Sequence, residues 1–383
     1  MQIYLDNSST TIPNSEVIDE ITSNLRECFG NPSSIHKIGI EAEKIIKKSR
    51  NTLADALGDA KPKEIVFTSC GTESNNMAIR GALSANKRAG KHIISSFSEH
   101  DSVYKTLEDL QQREDYKVTF LKPNKDGIIT ADQVKNALKE DTIFVSLMHV
   151  NNEIGAINPI NEIGQVIKSY KQSIVYHVDA VQSFLKLKIN LENIDLLSIS
   201  GHKVHAPKGI GALYIREKTK IHPLLTGGGQ EMQFRSGTEN TAYIAGLSKA
   251  IDIQKDSLSE DLNRIKKLRE KFILNLKSEI TDIVVNSSES SLPYICNISF
   301  LGVKGEILLH TLEQKGIFVS TGSACSSKKK GSRVLESLDL SLGIKDSAIR
   351  FSFSKNTTDD ELQFTVEVLK KEITKLRKLL NYK

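Results

Sequence analysis

Lys203 ends the short run Ile199-Ser200-Gly201-His202-Lys203, and a lysine amine can condense with an aldehyde to form a Schiff base. The preceding residues Asp195-Leu196-Leu197-Ser198-Ile199 read as a buried strand that stops at a small-residue turn. In an α/β sheet such a turn opens into the ligand crevice at the carboxyl ends of the strands. Ser200 and His202 flank the lysine with donors suited to a phosphate. A lysine after a strand is otherwise an ordinary solvated residue, so its meaning rests on its surroundings.

Those surroundings are polar clusters at the ends of other apolar runs. His92–Ser95 leads to Glu99-His100, Ile143–Met148 to His149-Val150-Asn151-Asn152-Glu153, and Ile174–Val178 to Asp179-Ala180-Val181-Gln182. A buried Asp179 carboxylate would keep a pyridinium nitrogen protonated and make its ring an electron sink. The His100 imidazole could stack on such a ring, and Asn152 and Gln182 could hydrogen-bond to it. Taken singly, Asp179 equally reads as a turn or N-cap residue, and the others as loop residues. A fourth segment, Glu64-Ile65-Val66-Phe67-Thr68-Ser69-Cys70-Gly71-Thr72, reads as strand, turn and helix start. A helix N-terminus offers free N–H groups to a phosphate, Gly71 permits close approach, and Thr72 adds a hydroxyl. The spacing matches neither the Walker pattern nor GxGxxG, which argues against ATP and NAD.

Two further residues carry chemistry. Cys325 lies in the polar stretch from Ser320 to Gly331, where Lys328, Lys329 and Lys330 favour a thiolate, although the lysines also suit a solvated surface. Arg350 follows an apolar pair in an expected strand and could bind an α-carboxylate bidentately or form a structural ion pair. His36 reads as a capping or surface residue. The remaining histidines lack HExxH spacing or an acidic partner, so no metal is expected.

These residues need a scaffold. Between Lys91 and Val178 short apolar runs alternate with helical patterns, which predicts a mostly parallel sheet covered on both faces. Beyond Lys203 a strand is expected at 209–215, a long helix at 256–277, strands at 295–300, 317–320 and 348–353, and a closing helix at 358–380. With 383 residues the chain should form about two domains. The expected division is a large domain over 13–255 and a smaller α+β domain from 1–12 with 256–383.

Composition narrows the function. A net charge of +5 with no basic block argues against direct nucleic-acid binding. Cys28, Cys70, Cys296 and Cys325 are scattered, which suits a reducing compartment better than a disulfide framework. Neither a secretion signal nor a membrane span is expected. These features lead to the expectation of a cytoplasmic α/β enzyme.

Several motifs in order resemble the cysteine desulfurases of the NifS/IscS type, which are class V aminotransferases. They are Tyr4-Leu5-Asp6-Asn7, Gly30-Asn31-Pro32-Ser33-Ser34, Phe67-Thr68-Ser69 with Gly71-Thr72-Glu73-Ser74-Asn75-Asn76, His149–Gly155, His177-Val178-Asp179-Ala180, Ser200-Gly201-His202-Lys203 and Arg235–Asn240. The resemblance implies fold type I of the pyridoxal 5′-phosphate (PLP) enzymes: a seven-stranded, mostly parallel sheet with a smaller α+β domain. It implies that Lys203 carries PLP as a Schiff base, Asp179 pairs with the pyridine nitrogen, and His100 stacks on the ring. Asn152 and Gln182 would contact the ring. Gly71, Thr72, Ser200 and His202 would bind the phosphate, and Thr238 would reach the cofactor of a second subunit in a homodimer. Arg350, with Asn31, would bind the substrate carboxylate, and Cys325 would accept sulfur from L-cysteine as a persulfide. Acceptors would be an iron–sulfur scaffold or a tRNA-thiolation enzyme. Cys70 departs from the usual glycine or alanine, and Val204-His205-Ala206 from the usual loop before Pro207. Related alternatives are a selenocysteine lyase, another class V enzyme, or an inactive sulfur-transfer scaffold.

Overall fold

The structure is a computed structural model that describes residues 2–321 and 331–382. Its first eight strands are β1 (Ile3–Tyr4), β2 (Ile65–Thr68), β3 (His92–Ser96), β4 (Lys117–Leu121), β5 (Thr142–Met148), β6 (Val175–Asp179), β7 (Leu196–Ser200) and β8 (Gly211–Ile215). Among the described residues, β2 to β8 form a seven-stranded sheet in the order β2-β8-β7-β6-β5-β3-β4. Strand β8 runs antiparallel to both neighbours, and the remaining pairs are parallel. The α/β architecture expected from alternating apolar runs is therefore present.

The period-2 geometry of a strand divides its side chains between two cores. Ile65, Phe67, Leu197, Ile199, Ala212 and Tyr214 enter one core. Val66, Leu196, Leu213 and Ile215 enter the other. Helix α1 (Ser15–Glu27) and helix α2 (Lys37–Ala56) cover the first face with the helices Ile160–Tyr170 and Thr241–Gln254. Helices α3 (Gly71–Asn86) and α4 (Asp101–Arg113) cover the second through Met77, Ile79, Val103 and Leu107. Every residue of β6, β7 and β8 is buried, which explains why these strands read as continuous apolar runs rather than alternating ones. His36 caps α2 by accepting the Gly39 N–H at 3.3 Å, as its position suggested.

The C-terminal part holds β9 (Ile283–Val285), β10 (Ile295–Phe300), β11 (Ile317–Phe318) and β12 (Ala348–Ser352). Strands β12, β10 and β9 form an antiparallel sheet, and β1 pairs in parallel with β11 through Ile3 and Ile317. Ile3, Leu5, Phe272, Ile298, Phe351 and Leu369 share a separate core. The helices Leu258–Glu279 and Asp359–Leu379 close it. Strand β9 was not foreseen: its three residues are only partly buried and occupy the sheet edge, where packing imposes little apolar pattern. Among the described residues no helix is long and apolar enough to cross a membrane.

Candidate active site

Parallel pairing sets the register of the strand ends. Met148 lies opposite Asp179, and Asp179 opposite Ser198, so the polar residues after β5, β6 and β7 meet at one edge of the sheet. There a cavity of about 270 Å³ is lined by Gly71, Thr72, His100, Asn152, Asp179, Gln182, His202, Lys203 and Arg350.

Asp179 ends β6 and is 4% exposed. Its Oδ2 accepts from Asn75 Nδ2 at 2.8 Å and its Oδ1 from the Val181 N–H at 2.9 Å. Asn75 also donates to Ser102 Oγ at 2.8 Å. Two elements thus fix the carboxylate before any ligand arrives.

Helix α3 begins at Gly71, and its N-cap residue Cys70 makes no side-chain cap. The first N–H groups of the helix have no carbonyl of their own to meet. A Cβ on Gly71 would sit 2.8 Å from Val181 Cγ2 and 3.2 Å from Ser200 Cβ, so only glycine fits this close approach. The neighbouring Ser200 is 2% exposed, and its Oγ has no hydrogen-bond partner among the described residues. The free N–H groups at the start of α3 make a candidate anion cup; Ser200 lies beside it and is not among the residues lining the cavity. Cys70 lines the same cavity and is partly buried.

Lys203 closes a single 3-10 turn, Gly201–Lys203, after β7. Its Nζ donates to the carbonyls of Ser8 at 2.5 Å and Ser9 at 2.8 Å. The Ser8 carbonyl also accepts from Gln182 Nε2 at 2.9 Å, while Gln182 Oε1 is buried with no partner among the described residues. His202 Nδ1 lies 3.2 Å from Thr10 Oγ1. Burial, with Lys203 adding to it, pushes the His202 imidazole down to about 4, so it is a neutral hydrogen-bonding group at pH 7.

His100 is the N-cap of α4, and its Nδ1 accepts the Ser102 N–H at 3.1 Å. In the neutral ring that bond leaves the proton on Nε2. Burial holds His100 below the ordinary imidazole value; Asp179 opposes this and Lys203 reinforces it. Just before it, Glu99 is 1% exposed, and burial pushes its carboxyl up to about 8.

Arg350 lies in β12 and is 2% exposed. Its Nη1 donates to the Asn152 carbonyl at 2.8 Å, and its Nη2 to Asp6 Oδ1 and Ser9 Oγ, each at 2.7 Å. Arg350 therefore forms a structural ion pair and also faces the cavity; its Nε has no partner among the described residues.

Asn31 and Thr238 are exposed and are not among the residues lining the cavity. Asn31 instead accepts the Ser33 N–H at 2.9 Å within its own loop. Cys325 and Lys328 to Lys330 lie outside the described residues. Asn75, Asp6, Ser8, Ser9 and Glu99 were not singled out as site residues from the sequence. The signal for Asn75 was its place one helical turn beyond Gly71, on the same face of α3. Among the described residues no group of three or more His, Cys, Asp or Glu side chains is arranged to hold a metal ion.

The donor set fits PLP. A phosphate needs N–H groups and hydroxyls, which the start of α3 and the orphaned Ser200 Oγ provide. A protonated pyridine nitrogen needs a carboxylate partner, which Asp179 could provide, and an aldehyde needs an amine, which Lys203 could provide.

Residues 3–364 match the family described as aminotransferase class-V. The cysteine desulfurase IscS of Dictyoglomus turgidum is 44% identical over 386 residues, covering 100% of this chain and 97% of that protein. The cysteine desulfurase IscS of Serratia proteamaculans is 42% identical over 388 residues, covering 99% and 94%. Among solved structures, a NifS-like protein superposes with a TM-score of 0.92 at 34% identity, covering 98% of this chain and 100% of that one. A structure described as SspA in complex with cysteine gives 0.81 at 34% identity, covering 94% and 100%.

Proposed function

Because the chain belongs to the class V aminotransferase family, we infer that it is a PLP-dependent cysteine desulfurase that converts L-cysteine to L-alanine and passes the sulfur on as a persulfide. The observation that carries this reading is the convergence of the Lys203 amine, the buried Asp179 carboxylate and the α3 N-terminus on one cavity. It occurs in a chain that aligns over its whole length with curated desulfurases.

When bound, PLP supplies an electron sink for negative charge at the substrate α-carbon. Asp179 would hold the proton on the pyridine nitrogen, and Asn75 and the Val181 N–H keep Asp179 in place. The start of α3, with Thr72, Ser200 and His202, would hold the phosphate. Arg350 orients the α-carboxylate, steadied by the Asn152 carbonyl and by Asp6. Lys203 Nζ takes the α-proton. His100, with its proton held at Nε2, would stack on the ring and serve the substrate sulfur, and Asn152 and Gln182 would contact the ring. Cys325 attacks the substrate sulfur: an S–S bond forms, the C–S bond breaks, and L-alanine leaves after protonation.

The domain division at 13–255, with 1–12 joining 256–383, is part of this reading, supported by the separate cores and the pairing of Ile3 with Ile317. So is a homodimer. Phe29 is 72% and Ile35 95% exposed, and Thr238 lies away from its own cavity, as a residue serving a second subunit would. Asn31 fits the same picture. The acceptor is an iron–sulfur scaffold or a tRNA-thiolation enzyme, and the site of action is the cytoplasm.

The deciding experiment supplies L-cysteine and dithiothreitol to the PLP-loaded protein. Equal amounts of alanine and sulfide, formed without a 2-oxo acid, support the assignment. No sulfide, with amino-group transfer from cysteine to an added 2-oxo acid, overturns it in favour of a transaminase.

A further inference from the structure

Behind the N-terminal segment that accepts from Lys203 lies a second cavity of about 20 Å³, room for about one water molecule. Lys186 and Lys203 both line it. Lys186 ends the turn after β6 and is partly buried. Among the described residues no carboxylate forms an ion pair with it; its Nζ instead stands 5.8 Å from the centre of the Tyr294 ring.

The other groups facing the cavity leave it positive. Lys355 lines it, as does Asp261, whose Oδ2 is engaged by Ser257 Oγ at 2.8 Å. His205 is pushed down to about 4 by burial and is neutral, with Nδ1 2.8 Å from the Ile12 carbonyl. Burial raises the Tyr294 phenol far above its ordinary value, so it too is neutral. Arg264, next to Tyr294, is committed to the carbonyls of Lys355 and Thr357. On its outer side Lys186 borders a surface groove with Asp55, Lys188, Lys255 and Asp256. Burial, and after it the charge of Lys203, bring the Lys186 amine down to about 7.

We propose that Lys186 is a positioning residue for Lys203: the two lysines line one small cavity, and among the described residues no carboxylate pairs with Lys186, so Lys186 competes with Lys203 for a proton and keeps the Lys203 amine available as a base. The carbonyls of Ser8 and Ser9 favour the charged form of Lys203, and Lys186 opposes them. Two amines held this way lose their protons as a coupled pair, and a neighbouring cation is a recognised means of activating a lysine. The proposal rests on Lys203 being the residue linked to PLP.

The test is an absorbance titration of the PLP band in the holoenzyme against pH, without substrate. Lys186→Met keeps most of the apolar stem and removes the charge. It should raise the midpoint by about one pH unit, a tenfold gain in proton affinity. Lys186→Arg restores a permanent cation and should return the midpoint to the wild-type value or below. Asp261→Asn removes an anion from the cavity and should lower it, which keeps the test decisive if Lys186→Met does not fold. An unchanged midpoint in Lys186→Met or Asp261→Asn, or a rise in Lys186→Arg equal to that in Lys186→Met, overturns the proposal. The titration needs no turnover. Failure to release alanine would therefore count against the desulfurase reading alone, whereas a static midpoint counts against Lys186.

Discussion

Asn75 Nδ2 lies 2.8 Å from Asp179 Oδ2, joining the helix that opens the anion cup to the carboxylate at the end of β6. Phosphate end and nitrogen end of the site are thereby tied through one amide. Asn75→Ala leaves a buried oxygen with one donor fewer, a loss of roughly 1–3 kcal/mol. PLP affinity should fall about tenfold or more, as measured by cofactor release on dialysis, with the Lys203 linkage intact.

Arg350 serves three acceptors at once, the Asn152 carbonyl, Asp6 and Ser9. A lysine cannot reproduce that planar fork. Arg350→Lys should raise KM for L-cysteine by about tenfold, with a smaller change in kcat. Steady-state kinetics of alanine release checks the split; an unchanged KM would remove Arg350 from substrate binding.

Glu99 makes stability depend on pH. Its carboxyl is raised to about 8 by burial, and its Oε1 accepts the Met148 N–H at 2.9 Å. The folded state therefore binds a proton that the unfolded state releases above its own, ordinary carboxylate value. This contribution is fully present in acid and is lost as pH rises towards about 8. Glu153, raised to about 7 by burial, acts with the same sign. Glu99→Gln keeps the acceptor and removes the titration. Its stability relative to wild type should rise by about 1 kcal/mol per pH unit across this window, read by urea unfolding at several pH values.

Gly71→Ala would place a Cβ 2.8 Å from Val181 Cγ2 at the mouth of the anion cup. Overpacking of this kind costs about 1–3 kcal/mol. Thermal unfolding should shift downward, and PLP loading should weaken even where the protein stays folded.

Cys325→Ser should leave the PLP absorbance unchanged and abolish persulfide formation, detected by alkylation and mass spectrometry. Normal sulfide release from that variant would assign sulfur transfer elsewhere.

What could be read from the sequence was local. The apolar runs of β5, β6 and β7 stood out because both of their faces are buried, and the polar residues after them marked the site edge. His36 could be assigned as a cap because capping is decided within three residues. The pairing of Arg350 with Asp6 and the hold of Ser8 on Lys203 join residues far apart in the chain, and no periodicity encodes them. Asn75 was visible as part of a helix start, but its target depends on how α3 crosses β6. Strand β9 escaped because a partly buried edge strand needs no apolar alternation.

The antiparallel placement of β8 bears on how this protein can vary. Ser200 pairs with Gly211, and the Gly201 N–H meets the Ile210 carbonyl, so the Lys203 turn is the tip of a hairpin rather than a crossover. Its two ends are held by this pairing. A slip of β8 by one position would exchange Leu213 and Ile215 with Ala212 and Tyr214 between the two cores. An insertion at the exposed Lys208-Gly209 would be absorbed at the surface, whereas a change that broke the pairing of Ser200 with Gly211 would turn the central layer inside out, so the constraint falls on the residues that hold the register.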